Sequence, residues 1–279
     1  MPCFPKAVIM FRHAAHKFPE NRILKIGLRH GAYSFKKYTR AENYNKFSIF
    51  LTTSKQDVKI AESLGCKTVY SIGYPKLDPL FNGQYNEKTL QFYREKAVLN
   101  PKKKTILFTT TYPASGMSAI DMWIDKLDKF TTNYNVLVTV HPRTKKKYKN
   151  KLSKQPGIYF IRDINPLPYL AIADLMIADY SSIMGEFCAL NKPIITLKIK
   201  PGKRAIRDIF ELIRKISVQV NSLDELPEAI EHALDNPDEL KSAREEAGEM
   251  MFDSLDGKAG IRAAEQIIRY LPELKLDKY

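Results

Sequence analysis

The chain of 279 residues carries a net charge of +14, with 44% hydrophobic and 27% charged side chains. These values are ordinary for a folded globular protein and exclude a chain that is mostly disordered. No apolar run reaches the roughly 18 residues that a membrane-spanning helix needs, and the stretch from Ala7 to Phe11 is too short for a signal peptide. Cys3, Cys66 and Cys188 lack paired spacing, so we expect no disulfide framework, no zinc site and a reducing, cytoplasmic location.

The basic charge is concentrated in the first part of the chain. Residues 1–104 contain 20 Lys and Arg against 7 Asp and Glu, whereas residues 221–279 contain 7 against 15. This pattern predicts an anionic partner, and nucleic acid, anionic lipid and a phosphate-rich acceptor all fit, beside a merely solvated basic face. Aromatic residues do not interleave with the basic ones as in RNA-binding proteins, and no helix-turn-helix or zinc motif occurs, so we expect no nucleic acid partner.

The first hundred residues alternate between strand and helix patterns. Three strands are predicted, at residues 23–28, 47–53 and 67–72. A helix begins at Ser54 and ends at Gly65, and a polar helical stretch covers residues 86–99. Residues 100–104 (Asn-Pro-Lys-Lys-Lys) form the best domain boundary, because proline ends a helix and three lysines require solvent.

The second part of the chain shows a clearer alternation. Five strands are predicted, at residues 105–110, 136–140, 158–161, 175–178 and 194–197. Their spacing suits βα units, so the predicted fold class is α/β with parallel strands and covering helices. Ser222 and Glu225 predict a capping box that opens an apolar helix, and residues 260–271 predict a last helix.

Polar residues end or follow each of these five strands. In chain order they are Thr109-Thr110-Thr111, His141-Pro142-Arg143, Arg162-Asp163, Asp179-Tyr180-Ser181-Ser182 and the lysine-rich residues 198–203. Ligands of open α/β sheets bind at the carboxyl ends of the strands. The pattern therefore predicts one binding site built from these segments.

Ser181 and Ser182 lead directly into an apolar helical stretch. A helix start offers unpaired N–H groups and a positive dipole end, which predicts a phosphate site; the plain alternative is a serine that caps the helix. Glu186 lies on the same helical face, about 6 Å further along the axis, where a carboxylate can accept both hydroxyls of a ribose. The alternative for Glu186 is a solvent-facing side chain. Residues 105–200 are thus predicted to form a nucleotide-binding half-domain.

Taken in order, these motifs resemble the signature of the CDP-glycerol glycerophosphotransferases, the polymerases and primases of teichoic acids and related capsules. The resemblance runs from about residue 29 to residue 262. The segments that carry it are His141-Pro142-Arg143, Asp163, residues 173–182, residues 192–195, Gly73 to Asp78, Ile106 to Tyr112, Phe252-Asp253, Asp256-Gly257-Lys258-Ala259 and Arg262.

The resemblance implies a glycosyltransferase-B (GT-B) fold, in which two Rossmann-like domains face a cleft. The C-terminal domain would hold the nucleotide and the N-terminal domain the acceptor. Only 29 residues precede the His30-Gly31 motif, so we expect a shortened acceptor-side domain at residues 1–100. A nucleotide-binding domain is expected at residues 101–259, and a C-terminal helix at residues 260–279 that crosses back to the first domain.

The resemblance also implies an activity. It is the transfer of glycerol phosphate, or a similar polyol phosphate, from a CDP-activated donor to an acceptor hydroxyl in teichoic acid or capsule-like polymer synthesis, with release of CMP. We expect no metal and no cofactor, since the CDP-activated polyol is a substrate. The expected acceptor is a phosphate-rich or lipid-linked polymer, and the protein would lie on the inner face of the cell membrane, where anionic lipid attracts basic segments.

The site residues are carried over position by position. His30 would be the general base, which agrees with the chemistry, because a hydroxyl that attacks a phosphoryl group needs a base of pKa about 7; the alternative is a structural histidine. His141 would stabilise the diphosphate. The predicted donor-binding residues are Thr110, Arg143, Ser181, Ser182, Glu186 and Arg262, supported by Gly31, Asp78, Asp163 and Asp179.

Other functions stay open at this point. Glu186 stands where the family usually has aspartate, so the donor could be CDP-ribitol or a nucleotide sugar. A nucleotide-sugar glycosyltransferase or epimerase uses the same fold, and the fold does not determine the donor. The non-enzyme alternative is a basic module that binds a membrane or nucleic acid.

Overall fold

The computed structural model describes residues 5–11, 14–18, 22–29, 31, 41–200 and 207–271. These residues divide into two compact units. The first unit holds the described residues up to Gly83 and those from Gly248 onward, and the second holds those between Gln84 and Ala247. None of the described helices is both long enough and apolar enough to cross a membrane.

Ten strands, thirteen α-helices and three short 3-10 helices are present in the described part of the chain. The strands are β1 (Ala7–Met10), β2 (Leu24–Leu28), β3 (Ile49–Thr52), β4 (Val69–Ser71), β5 (Thr105–Thr110), β6 (Asn135–Val140), β7 (Ile158–Phe160), β8 (Leu175–Ala178), β9 (Ile194–Leu197) and β10 (Val218–Val220). The helices are α1 (Ala41–Tyr44), α2 (Lys55–Ser63), α3 (Asp78–Phe81), α4 (Glu87–Lys96), α5 (Ile120–Trp123), α6 (Asp128–Thr131), α7 (Lys146–Leu152), α8 (Leu167–Ile172), α9 (Ile183–Cys188), α10 (Arg207–Ile216), α11 (Leu226–Asp235), α12 (Lys241–Phe252) and α13 (Ala259–Tyr270).

The first unit is built on a parallel sheet in the order β1-β2-β3-β4. One face of this sheet buries a cluster of aliphatic side chains, against which Ala263 and Ile267 of α13 pack. Helix α2 begins as predicted, because the Ser54 side chain accepts a hydrogen bond of 3.1 Å from the Asp57 N–H. It ends before Gly65, whose φ of 87° is a conformation that glycine adopts without strain.

The second unit is built on a six-stranded parallel sheet in the order β10-β9-β8-β5-β6-β7. Every residue of β5 and β8 is buried, which is typical of central parallel strands covered by helices on both faces. Aromatic rings of Phe108, Trp123 and Phe130 meet on one face of the sheet. The predicted α/β class with parallel strands is confirmed.

Several predicted boundaries differ from the structure. The units divide at Gly83 instead of after residue 100, because α4 packs on α8 within the second unit. The short strands β1 and β10 were not predicted. The capping box is wrong: α11 begins after Glu225, whose carboxylate accepts a hydrogen bond of 3.0 Å from the Asn221 N–H. The last predicted helix is present as α13, grouped with the first unit.

Candidate functional site

The site begins at the point where the order of the larger sheet reverses. The chain runs from β5 through β6 to β7 on one side, and then returns to place β8 on the other side of β5. Ligands of open parallel sheets bind in the crevice at such a switch point, outside the carboxyl ends of the strands. Thr110 ends β5 and Thr111 follows it at this point, and Asp179 to Ser182 follow β8.

Asp179 joins the ends of these two central strands. Its carboxylate accepts hydrogen bonds from the Thr111 N–H (2.9 Å), the Ala119 N–H (3.0 Å) and the Thr110 hydroxyl. Asp179 has no exposed surface, and burial raises the pKa of its carboxyl to about 6, although the hydrogen bonds act in the opposite direction. Asp179 therefore connects the end of β8 to the end of β5, and its predicted supporting role at a ligand site stays a prediction.

Thr110 lies in the same support layer. Its side chain is 1% exposed, and its hydroxyl bonds to Asp179 and, at 2.8 Å, to Ser118. These contacts use the hydroxyl within the protein, so the geometry does not support the predicted contact between Thr110 and a phosphate.

Ser181 and Ser182 lie at the start of α9. Ser182 occupies the N-cap position in a helical conformation, without a side-chain capping hydrogen bond. The structure thus does not support the alternative in which this serine serves as a helix cap. Within the described residues, neither serine hydroxyl makes a hydrogen bond, and Ser182 is exposed. The Ser182 hydroxyl is therefore placed where a ligand can use it, whereas Ser181 is 8% exposed.

Glu186 lies one turn further along α9 and is 5% exposed. The alternative of a solvent-facing glutamate is therefore wrong. Its neighbours Met184, Phe187 and Cys188 are buried as well. A carboxylate in such surroundings is costly unless it is paired or hydrogen-bonded, so its burial indicates a defined place in the structure.

His141 follows β6, the strand next to β5. The Arg143 N–H donates a hydrogen bond of 3.0 Å to His141 Nδ1. An Nδ1 that accepts carries no proton, so in the neutral ring the proton resides on Nε2. The local turn thereby makes Nε2 the donor of the ring, as a group that stabilises a negatively charged oxygen must be.

Tyr112 lies beside His141 at the candidate site, and the sequence assigned it no role. Its ring centroid lies 4.9 Å from that of His141, and the Arg143 guanidinium carbon lies 5.9 Å from the Tyr112 ring centroid, close enough for a cation–π contact. Tyr112 follows Thr111, which Asp179 holds. A continuous set of contacts thus connects the ends of β8, β5 and β6.

Asp163, predicted as a supporting residue, connects two helices instead. It pairs with Lys96 of α4 at 2.7 Å and accepts a hydrogen bond of 2.5 Å from the Tyr169 hydroxyl of α8. The Lys96 ammonium, helped by the tyrosine, lowers the pKa of this carboxyl. Asp163 therefore holds α4 against α8.

The predicted residues of the first unit fall into two groups. His30, the predicted general base, lies outside the described residues, and Gly31 is described next to it. Asp78 accepts hydrogen bonds from the Ala259 N–H (3.0 Å) and the Gly260 N–H (2.7 Å) at the start of α13. Asp78 thus serves as the N-terminal cap of this helix.

Arg262 is also engaged within the first unit. Its Nε donates to the Ile72 carbonyl at 2.9 Å, and its Nη1 pairs with Asp256 at 2.7 Å. Its Nη2 is buried, and a Cβ on Gly73 would lie 2.9 Å from that nitrogen. A side chain at Gly73 would crowd this guanidinium, and the φ of 81° would strain the backbone of any other residue there. A contact between Arg262 and the phosphates stays a prediction.

A last feature of the side chains concerns metals. Among the residues that the structure describes, no group of three or more His, Cys, Asp or Glu side chains is arranged to hold a metal ion.

The fold and this site define the class of protein. It is an α/β protein whose candidate ligand site lies at the carboxyl ends of parallel strands, at the switch point of the larger sheet. The model of the family CDP-glycerol:poly(glycerophosphate) glycerophosphotransferase matches residues 25–269, which is most of the chain. The chain therefore belongs to this family, as the resemblance in its sequence predicted.

The sequence is also similar to curated proteins of teichoic acid synthesis. The chain is 25% identical to the teichoic acid poly(ribitol-phosphate) polymerase of Bacillus spizizenii over 94% of its own length and 43% of that protein. It is 28% identical to the teichoic acid ribitol-phosphate polymerase TarK of Staphylococcus aureus over 55% of its own length and 32% of that protein. The chain thus spans less than half the length of these relatives.

Solved structures agree with the fold. The structure of a variant of the wall teichoic acid polymerase TagF, soaked with CDPG, superposes with a TM-score of 0.70 at 19% sequence identity. The match covers 91% of this chain and 69% of that one. This similarity supports the predicted GT-B type of fold.

Proposed function

We propose that the chain transfers a polyol phosphate from a CDP-activated polyol to a hydroxyl of a growing polymer, as in teichoic acid synthesis, and releases CMP. Membership of the glycerophosphotransferase family supports this reaction class. Similarity to teichoic acid polymerases supports a polymeric acceptor.

The observation that carries the proposal is the orientation of His141 beside the switch point. The Arg143 N–H occupies Nδ1, and Tyr112 packs on the ring. The β6 end that bears His141 and the β8 end that bears the serines are separated by β5 alone, which is about 10 Å in a parallel sheet. A diphosphate fits between donors at that spacing.

The proposed step conserves atoms and charge. The acceptor oxygen attacks the β-phosphorus of the donor, the bond from that phosphorus to the bridging oxygen breaks, and CMP leaves with the bonding electron pair. The acceptor proton passes to a base, for which His30 stays the predicted residue. His141 Nε2–H, Ser181 and Ser182 donate to the phosphate oxygens, where negative charge develops.

The partners follow from the same proposal. The CDP-activated polyol is a substrate, and the proposed step assigns no further cofactor. Glycerol and ribitol are both candidate polyols, since the family is described by glycerophosphate and the curated relatives by ribitol phosphate. The net charge of +14 supports a phosphate-rich or lipid-linked acceptor beside an anionic membrane surface.

The proposal is tested by incubating the chain and a polymeric acceptor with CDP-glycerol, CDP-ribitol or UDP-N-acetylglucosamine. We expect CMP release with at least one CDP-polyol and no turnover of the UDP-sugar. Conversion of the UDP-sugar without CMP release from either polyol would overturn the proposal in favour of a nucleotide-sugar enzyme.

The role of His141 is tested in the same assay. We expect His141→Gln to lower kcat/KM about a hundredfold, the cost of losing one well-placed donor to a charged oxygen. His232→Gln is the matched control, because His232 is exposed on α11 and bonds to Glu239. Equal activity of the two variants would contradict the role of His141.

A further inference from the structure

A strongly basic surface covers one helix of the second unit. Residues 129–162 contain nine Lys and Arg and no Asp or Glu. Five of these side chains stand on α7 or directly before it: Lys145, Lys146, Lys147, Lys149 and Lys151. We call these five residues the α7 lysine surface.

The lysines face outward because α7 uses its other face for packing. Leu152 is 1% exposed and belongs to the main core, and Tyr148, four residues earlier, packs against that core. Thr144 continues this face and is buried. The lysines and Asn150 occupy the remaining positions, and only Lys149 among the lysines is partly covered.

Few acidic groups offset this charge. Asp125 pairs with Lys151, and Asp121 accepts a hydrogen bond of 2.9 Å from the Tyr148 hydroxyl. Within the described residues, Lys145, Lys146 and Lys147 form no ion pair. Three neighbouring ammonium groups without counter-charges repel each other, and a polyanion would relieve this repulsion.

The position of the helix relates it to the candidate site. Helix α7 follows the loop of residues 141–145, which carries His141. Lys149 Nζ donates a hydrogen bond of 2.7 Å to the Pro142 carbonyl, so the helix is tied to that loop. Its first lysines therefore stand at the edge of the sheet where the donor is proposed to bind.

We propose that the α7 lysine surface binds the phosphate groups of the acceptor polymer, a poly(polyol phosphate), and holds its chain beside the donor site. The identity of the polymer rests on the proposed function, whereas the surface itself follows from the structure. A membrane contact is less consistent with this helix, because helices that lie in a bilayer interface insert an apolar face, and the apolar face of α7 is used in the core.

The test compares two triple variants that each remove three positive charges from the second unit. The first carries Lys145→Gln, Lys146→Gln and Lys147→Gln. The control carries Lys88→Gln, Lys102→Gln and Lys215→Gln, which are exposed lysines elsewhere in the unit. Urea unfolding of both variants verifies that they are folded.

Binding of fluorescently labelled poly(glycerol phosphate) is measured by anisotropy over a range of salt concentrations. We expect the slope of log affinity against log salt to fall by about 2 in the α7 variant, because each phosphate contact of a flexible strand contributes about 0.7. The control should keep the slope of the parent protein. Equal changes in both variants would overturn the proposal.

Two further measurements distinguish binding of the polymer from binding of a membrane. With a single-unit acceptor, the α7 variant should keep kcat, while KM for a long polymer rises. If the α7 variant loses binding to phosphatidylglycerol vesicles but keeps its affinity for the polymer, the surface is a membrane contact and the proposal is wrong. The anisotropy measurement of polymer binding needs no turnover. Absence of CMP release would therefore overturn the proposed function, but the binding test of the α7 lysine surface would stay valid.

Discussion

A single buried carboxylate organises the candidate site. Asp179 reaches the end of β5 through Thr110 and Thr111, and the next residue, Tyr112, packs on His141. The carboxylate gains these hydrogen bonds at the cost of full desolvation, which disfavours its charged form. The elevated pKa of Asp179 is the measurable consequence.

Asp179 makes the stability of the protein depend on pH. Burial raises the pKa of this carboxyl from 3.8 to about 6, so between these values the folded state keeps a proton that the unfolded chain has released. The stability contributed by the protonated form is complete below pH 3.8 and is lost as the pH rises through about 6. Asp179→Asn cannot titrate. We therefore compare the free energies of unfolding of the parent and of this variant. We expect the parent value minus the variant value to fall by roughly 3 kcal/mol as the pH rises from 3.8 to about 6.

Urea denaturation of both proteins at several pH values measures this difference. Subtracting the variant removes the contributions of the other titrating groups, which the two proteins share. A difference that stays constant with pH would show that Asp179 titrates normally in the folded state.

At the scale of elements, the family-like motifs of the first unit secure the last helix. Asp78 caps α13, and Arg262 ties it to the Ile72 carbonyl at the end of β4. Asp253 accepts a hydrogen bond of 2.9 Å from the Lys55 N–H at the start of α2. Residues that the resemblance placed in or near a site thus have a demonstrable packing role.

The capping role of Asp78 gives a clear expectation. We expect Asp78→Ala to lower the free energy of unfolding by about 1–2 kcal/mol, the usual cost of losing a cap, with little change in kcat. Glu265→Ala is the control, because Glu265 is exposed on the same helix and a surface change there costs at most about 0.5 kcal/mol. Unchanged stability with lost transfer would instead assign Asp78 to the site.

At the scale of the molecule, the proposed donor site belongs to the unit with the six-stranded sheet. The six-stranded unit carries Ser181, Ser182, Glu186 and His141, so donor binding is proposed to be a property of this unit. The chain spans less than half of its curated relatives, so transfer by the whole protein stays a proposal. Binding of the donor can be tested without transfer.

Donor binding should stabilise the folded chain by linkage. CDP-glycerol at a hundred times its dissociation constant should raise the free energy of unfolding by about 2.7 kcal/mol. The double variant Ser181→Ala, Ser182→Ala should lose most of this gain. The control double variant, Ser153→Ala with Ser222→Ala in the same unit, should keep the stabilisation by CDP-glycerol. Equal stabilisation of both double variants would place the nucleotide elsewhere.

The sequence by itself determined the fold class, most strands and the segments at their ends. Hydrophobic runs, turn residues and the Ser54 cap are local signals, because each depends on neighbours in the chain. The order of motifs was also sufficient for the family. The predicted segments after β5, β6 and β8 do meet at one edge of one sheet.

Only the tertiary structure decided which of these polar side chains form hydrogen bonds within the protein. Strand order is non-local, so the switch point between β5 and β8 could not be derived from the spacing of strands. Burial is non-local as well. Thr110 and Asp163 look like site residues in the sequence, yet their polar atoms bond to Asp179, Lys96 and Tyr169 inside the unit. Tyr112 contacts His141 because folding brings the ends of β5 and β6 together.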